Sequence, residues 1–525
     1  MEIGKNSCPM PARISQRDMP IYKRLLCSMR VIFLAVMVAC ICGCTSTQEW
    51  WHNGFKVGPE YRQPAAPVAE DWIDGADVRV RSESVDHGQW WIAFNDPVLN
   101  SLIVNAYGQN LDLRTAGLRV LEARDQRAIT AGNMLPQSQE AFADYRRTQT
   151  PARVGQPASG QSFSVWESGF NLAWELDFWG RFQRAVEAAD GDLDASVENY
   201  DDVLVTLLGD VGVTYVEIRT LQHRLEIARA NVEAQRGAMQ IAEARFNEGA
   251  TTQLDVFQAK NNLAQTESVI PTLDIALRQA SNRLCILCGI PPRDLQHDLG
   301  SGYIPIPLTD VAMGIPADLL RRRPDVRRAE RELASQSASI GVATAELYPH
   351  IAITGTIGLG ANDFADLFRS EAFTGSVGPS VRWDILNYGR LLSNIRVQDV
   401  RFQQLTSEYQ SAVLRANEEV ENALVAFLKS QQRVQILAES VDAAEKAVDM
   451  ALLQYREGKT DFNRVFILQT SQALEQDRLA QASGEVSRSL IEIYQALGGG
   501  WQIRYQESEQ MQLGTVIPAE LPYRH

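Results

Sequence analysis

Between Gly180 and Phe246 the chain runs roughly 67 residues without a proline, and a helix of that length, rising 1.5 Å per residue, is a rod of about 100 Å. No ordinary globular domain holds such a rod, so the chain must build an architecture of long packed helices. Along it Leu204, Leu208, Val211, Tyr215 and Ile218 step by four and three residues, the seam by which one helix packs on another. Val486, Leu490, Ile493 and Leu497 form the same seam near the other end of the sequence.

That recurrence belongs to a duplication of the whole chain. Asn110-Leu111-Asp112-Leu113 matches Arg323-Pro324-Asp325-Val326 at an offset of 213 residues, as Leu135-Pro136 matches Tyr348-Pro349. Farther on the offset is 209, pairing Trp174 with Trp383, Gly180-Arg181 with Gly389-Arg390, Phe246 with Tyr455, Glu248-Gly249 with Glu457-Gly458 and Gly289 with Gly498. Each copy reads as a helix, a strand, a loop, a second strand, a very long helix, a tight turn and another long helix.

The strands are two-faced. In 170–178, Phe170, Leu172, Trp174, Leu176 and Phe178 point one way while Asn171, Ala173, Glu175 and Asp177 point the other. In the second copy Val381, Trp383 and Ile385 oppose Ser380, Arg382 and Asp384, and Ile351, Ile353, Ile357 and Leu359 alternate with Ala352, Thr354 and Thr356. Residues 139–147 alternate poorly and are predicted as a strand from their repeat position alone. A soluble sandwich could bury such faces; a membrane barrel would turn them to lipid. Four strands cannot close a barrel, whose smallest spanning form has about eight, and lipid tolerates no open edge. The membrane reading therefore requires several chains to share one barrel.

The N-terminal sequence favours export. Lys23, Arg24 and Arg30 precede the uncharged run Val31 to Gly43, the pattern of a secretory leader and too short to span a bilayer as a helix. Ile41-Cys42-Gly43-Cys44 resembles a lipobox, with Cys44 the expected acylation point and Met37-Val38-Ala39-Cys40 a weaker alternative. The formal charge of -15 argues against a nucleic-acid partner. Cys285 and Cys288 lack the second ligand pair that zinc requires and read as small core residues.

Several spaced motifs together resemble a known family. Val57-Gly58-Pro59-Glu60-Tyr61, Trp90-Trp91, Phe94-Asn95-Asp96-Pro97-Val98-Leu99, the run Leu319 to Val326 and the closing Ala496-Leu497-Gly498-Gly499-Gly500-Trp501 look like outer-membrane efflux lipoproteins of the TolC and OprM-like, or NodT-type, kind. The resemblance implies a homotrimer: a twelve-stranded β-barrel in the outer membrane, continued by a long α-helical barrel through the periplasm. It also implies a passive exit duct, lipid-anchored at Cys44, that works with a periplasmic adaptor and an inner-membrane transporter. On this reading 1–43 is the signal peptide, 44–96 a lipidated extended segment, 97–300 and 301–501 the two repeats, and 502–525 a tail. No cofactor beyond the lipid and no metal is expected.

A duct performs no chemistry, so its working residues are those that hold it shut and meet its partners. The hairpin turns, 245–256 and 454–465, carry Gly249 and Gly458 where the backbone must reverse. The resemblance puts the periplasmic mouth there. A single acid repeated about a threefold axis becomes a ring of charge, with Asp255 and Asp461 as candidates, while Arg245, Arg456 and Arg464 could bridge to neighbouring helices. The plainer reading is of solvated charges at a turn. The resemblance weakens at two places: the Arg opening the first turn is Gln454 in the second, and Ile467 stands where relatives often carry Asp. The basic run Arg321, Arg322, Arg323, Arg327, Arg328 and Arg331 reads as a solvated helix face. No hydrolase, nucleotide-binding or zinc-protease motif is present, which excludes the commonest enzyme classes. A lipidated coiled-coil adaptor remains the rival, and it would neither repeat the whole pattern nor hold lipid-facing strands.

Overall fold

A computed structural model describes residues 47–81, 88–149, 162–300, 302–305, 311, 312, 314 and 316–505. The leader and Cys44 lie outside the described residues. A short helix α1 (Thr47–His52) precedes the first copy, which comprises α2 (Pro97–Gln109), α3 (Leu111–Gly132), β1 (Ser138–Gln149), β2 (Ser162–Leu176), α4 (Arg181–Asn247) and α5 (Gln253–Leu287). The second comprises α6 (Pro324–Ala345), β3 (His350–Ala361), β4 (Phe373–Arg382), α7 (Arg390–Arg456) and α8 (Phe462–Ala496). The duplication is exact at the level of helix length: α3 and α6 have 22 residues each, α4 and α7 have 67, and α5 and α8 have 35. No helix among the described residues is long and apolar enough to cross a membrane.

The chain divides into two units. The strand unit takes the chain up to Pro59, Ser138–Arg184 and Gly341–Asn387. Its four strands form one antiparallel sheet in the order β1-β2-β3-β4. The register pairs Phe170 with Ile357 and Trp174 with Ile353, then Ile357 with Gly375 and Ile351 with Val381. Because side chains alternate, this register gathers Trp166, Phe170, Leu172, Trp174, Ile353, Ile357, Phe373, Val377 and Val381 on one face. Phe170, Ile357, Val377 and Val381 are all exposed there. On the opposite face Thr356 donates to Asn171 at 2.9 Å and His350 meets Glu175 at 2.8 Å. Edges β1 and β4 each lack a strand partner on their outer side among the described residues.

Two strand limits differ from the sequence expectation. β2 ends at Leu176, because the Asp177 side chain instead accepts from the backbone N–H groups of Phe182 and Gln183, at 3.1 and 2.8 Å, and caps α4. β4 begins at Phe373 and ends at Arg382, so Trp383 and Ile385 are not strand residues. The pairing stops where its partner does: Arg382 is opposite His350, and the chain before His350 is already the turn out of α6. Trp383 donates its indole N–H to the Leu347 carbonyl at 2.9 Å, as Trp179 does to Pro349 at 3.0 Å. At this corner Arg181 joins Glu175 at 2.9 Å and Glu346 at 3.0 Å.

The helical unit holds Glu60–Gln137, Ala185–Ile340 and the chain from Tyr388 onward. Both predicted seams are buried in one core. Asp96 caps α2, accepting from Val98 N at 2.8 Å, and its other oxygen accepts from the Tyr215 hydroxyl at 2.6 Å. Arg219 donates to the same hydroxyl at 2.9 Å. Cys285 and Cys288 are buried and free, as core residues would be.

The arginine run corrects the expectation of a solvated face. Arg323 is buried, paired with Asp325 at 2.8 Å and Glu419 at 2.7 Å, and donates to the Ala496 carbonyl at 2.7 Å. Arg327 reaches Glu198 at 2.5 Å, and Arg328 reaches Asn199 at 2.8 Å and Asp202 at 3.3 Å. The basic stripe of α6 lies against an acidic stripe of α4, Asp194, Glu198, Asp201 and Asp202, so the charges are consumed inside the helix packing.

Candidate functional site at the hairpin turns

Each hairpin reverses through the same backbone device. Gly249 and Gly458 sit at φ +74° and +75°, where a side chain would be strained. In the first turn the N–H of Gly249 bonds to the Phe246 carbonyl at 2.9 Å and that of Ala250 to Arg245 at 2.8 Å. In the second, Gly458 bonds to Tyr455 at 3.0 Å and Lys459 to Gln454 at 2.9 Å, a helix end closed by a left-handed residue. The next helix has Thr252 at its N-cap in one copy and Asp461 in the other, and only Asp461 caps with its side chain, accepting from Arg464 N at 3.3 Å.

Between these turns lies a small core separate from the main one. Ala238, Ala242 and Ala259 of the first hairpin meet Ala451, Tyr455, Phe462 and Val465 of the second. Alanines allow the backbones to approach but bury little apolar area, so this end is held more weakly than the seams above it. Its specific tie is polar. Tyr455, 1% exposed, donates its hydroxyl to Asp255 at 3.1 Å, and Thr251 donates to the same carboxylate oxygen. Burial, with the Asp255 charge beside it, pushes the Tyr455 hydroxyl up to about 12, so it remains a donor at any physiological pH. The Arg245 guanidinium lies over the Tyr455 ring at 4.6 Å, and Phe462 meets that ring edge-on at 5.3 Å.

The predicted residues thus separate into two groups. Asp255 was expected as an open charge able to form a ring; it is 8% exposed and engaged by two hydroxyls of its own chain, because the adjoining hairpin supplies Tyr455. The Arg245 guanidinium lies over the ring of Tyr455 on the neighbouring hairpin. Asp461, Arg456 and Arg464 are exposed, Asp461 doubling as a helix cap. Sequence reasoning missed Tyr455 and Thr251 as partners. The repeat held a signal: Tyr455 matches Phe246, and the added hydroxyl marks the copy that faces inward, since Phe246 is 40% exposed.

Above the turns, polar pairs keep the hairpins in register. Asn262 donates to Gln469 at 3.1 Å, Asn231 to Gln476 at 2.9 Å, and Arg224 clasps Asp477 at 2.6 and 3.1 Å. Among the described residues no group of His, Cys, Asp and Glu could hold a metal ion, and what these contacts do is tie one hairpin to the other.

The sequence matches the family model described as "Outer membrane efflux protein" over residues 102–289 and again over 315–499. It is 30% identical over 455 residues to Nodulation protein T of Rhizobium leguminosarum bv. trifolii, across 86% of this chain and 95% of that protein. It is 29% identical over 429 residues to the pyoverdine export outer membrane protein OpmQ of Pseudomonas putida, across 80% of this chain and 90% of that one. The solved structure of the outer-membrane channel OprN superposes with a TM-score of 0.80 at 33% identity, covering 85% of this chain and 99% of that chain.

Proposed function

The chain belongs to the outer membrane efflux protein family, and on that premise we propose that three copies of it form the exit duct of a tripartite pump. The protein is an outer-membrane efflux channel and not an enzyme. The observation that carries the fuller reading is the open sheet: four strands, apolar on one face, with both edges lacking a strand partner among the described residues. In lipid such edges must be paired, and further copies of the same sheet pair them most simply, β4 of one chain against β1 of the next. The polar face, with Asn171, Thr356, Glu175 and His350, then lines the water-filled passage.

The hairpin turns are the gate. Tyr455, Asp255 and Arg245 hold the second hairpin against the first within each chain, and opening parts them. Three copies act together, so a tie of about 1.5–3 kcal/mol per charged hydrogen bond becomes a substantial barrier across the ring. Asp461, Arg456 and Arg464, with exposed Leu254, Phe257 and Ile467, form the surface met by neighbouring copies and by a periplasmic adaptor, which delivers cargo from an inner-membrane transporter. Acylation of Cys44 anchors each chain. Relatives carry the names of pyoverdine export and toluene efflux, which favours small organic molecules as cargo here.

Deleting the gene and comparing growth across antibiotics, solvents and metals tests this reading. Sensitivity to at least one class of small organic compound, restored by the gene in trans, is expected. Unchanged sensitivity across all of them contradicts it.

A further inference from the structure

The apolar face of the sheet has a measurable height. From Trp166 to Leu176 there are ten steps along β2, which at about 3.3 Å per residue and a tilt of roughly 40° span about 25 Å of membrane normal, the height of a barrel's lipid-facing band. Side chains just beyond either end of that stretch fall at the level of the lipid headgroups. Aromatic clusters stand at both levels. At the far end Tyr145 packs on Trp166 at 4.3 Å, Trp166 on Phe364 at 5.0 Å and Phe364 on Phe368 at 5.9 Å. At the end where the chain leaves for α4, Phe178 packs on Trp179 at 4.9 Å and Trp179 stacks on Tyr348 at 4.5 Å.

The second cluster is extended by residues that belong to neither repeat. Trp50 packs on Phe178 at 5.2 Å, on Trp179 at 5.8 Å and on Phe55 at 4.8 Å, while Trp51 meets Phe55 at 5.1 Å. The segment is fixed in place by backbone bonds from Phe55 N to Trp50 O at 2.9 Å and from Val57 N to Trp179 O at 3.1 Å. Yet Trp51 is 66% and Phe55 44% exposed. Phe55 is also held at φ +66°, a conformation a bulky residue rarely adopts, and this tight turn brings it back against Trp50 and Trp51. A segment that spends rigid backbone to leave two large apolar rings exposed, packed through Trp50 on the residues that follow β2, has an occupant, and continuity with the sheet that β2 belongs to identifies it.

We propose that Trp51 and Phe55, braced by Trp50, Phe178 and Trp179, form a non-covalent lipid anchor seated in the glycerol and upper acyl region of the phospholipid leaflet at the periplasmic end of the barrel. Tryptophan suits that depth because its ring is apolar and its N–H finds acceptors among ester carbonyls and phosphates. The anchor acts independently of acylation. It fixes the height of the N-terminal segment, so a lipid on the preceding cysteine enters the leaflet without pulling the chain away from the strands.

The proposal rests on the barrel reading, and one set of samples tests the two separately. The full chain is reconstituted into phosphatidylcholine bilayers brominated either near the ester groups or near the bilayer midplane. Fluorescence lost from wild type but absent in Trp51→Phe isolates Trp51, and a Trp174→Phe variant isolates Trp174 on the sheet face. For Trp51 the expected result is stronger quenching by shallow than by deep bromine and little by aqueous iodide. Quenching of Trp51 by iodide alone, by deep bromine most strongly, or by none of the three overturns the anchor. Failure of either bromolipid to quench Trp174 would instead count against the barrel.

Discussion

The Tyr455 hydroxyl donates to the Asp255 carboxylate at 3.1 Å, joining two hairpins whose turns lie 209 positions apart in the repeat. Tyr455→Phe keeps the ring, its stacking under Arg245 and its contact with Phe462, and removes only that bond. The closed state should lose about 1.5–3 kcal/mol per chain, since the acceptor is charged. Single-channel recording in planar bilayers should show a higher open probability than wild type. Indistinguishable traces would remove the bond from the gate.

Asp461 carries two separable roles, a cap for α8 and an exposed charge at the turn. Asp461→Asn retains a good cap and removes the charge, whereas Asp461→Ala removes both and should cost about 1 kcal/mol of helix stability. If the charge matters, Asp461→Asn combined with Arg464→Gln raises ion conductance with no fall in Tm. If only the cap matters, Asp461→Ala lowers Tm and the Asn variant behaves as wild type.

Asp201 gives a pH dependence with a definite sign. Burial first, then the neighbouring Glu198 against the opposing Arg504 and Arg327, pushes its carboxyl up to about 7. An unfolded chain would release that proton near the usual carboxylate value of about 3.9. Between those values the folded protein holds a proton the unfolded chain does not, so this group's contribution to stability falls as pH rises through the window and is flat above it. Thermal unfolding of the detergent-solubilised protein should therefore show a Tm that declines less steeply from acidic to neutral pH in Asp201→Asn than in wild type. Parallel slopes would show that Asp201 is not the responsible group.

Arg323 is the least replaceable member of the basic run. Removing it strands Asp325 and Glu419 and leaves the Ala496 carbonyl without its donor. Arg323→Ala should cost about 3–5 kcal/mol, and Arg323→Lys should recover only part, because an ammonium cannot fork across both carboxylates. Arg321, exposed on the same run, should tolerate alanine with little change in Tm.

The long helices and the duplication were legible because they rest on absence of proline and on periodicity, which act locally and survive without knowledge of neighbours. β1 was legible only through the repeat: its outward face carries Gln139, Ala141 and Ala143, too small and polar to announce a membrane strand. The end of β4 was not legible, since alternation continues through Trp383 and Ile385 while the pairing partner runs out at His350. Charges were hardest to place. Arg327, Arg328 and Arg331 look solvated until the acids spaced along α4, Glu198, Asp202 and Asp194, are laid beside them, and Asp255 looks open until the second hairpin supplies Tyr455. A stripe shows which side chains share a face; it does not show which other stripe will meet it.

A barrel built on this four-stranded sheet is one that a single chain cannot complete. Mass measurement of the purified, detergent-solubilised protein, before and after heating, is the direct test. Three copies per particle, resistant to mild denaturant and dissociating on boiling, are expected; a folded particle containing a single chain would contradict it.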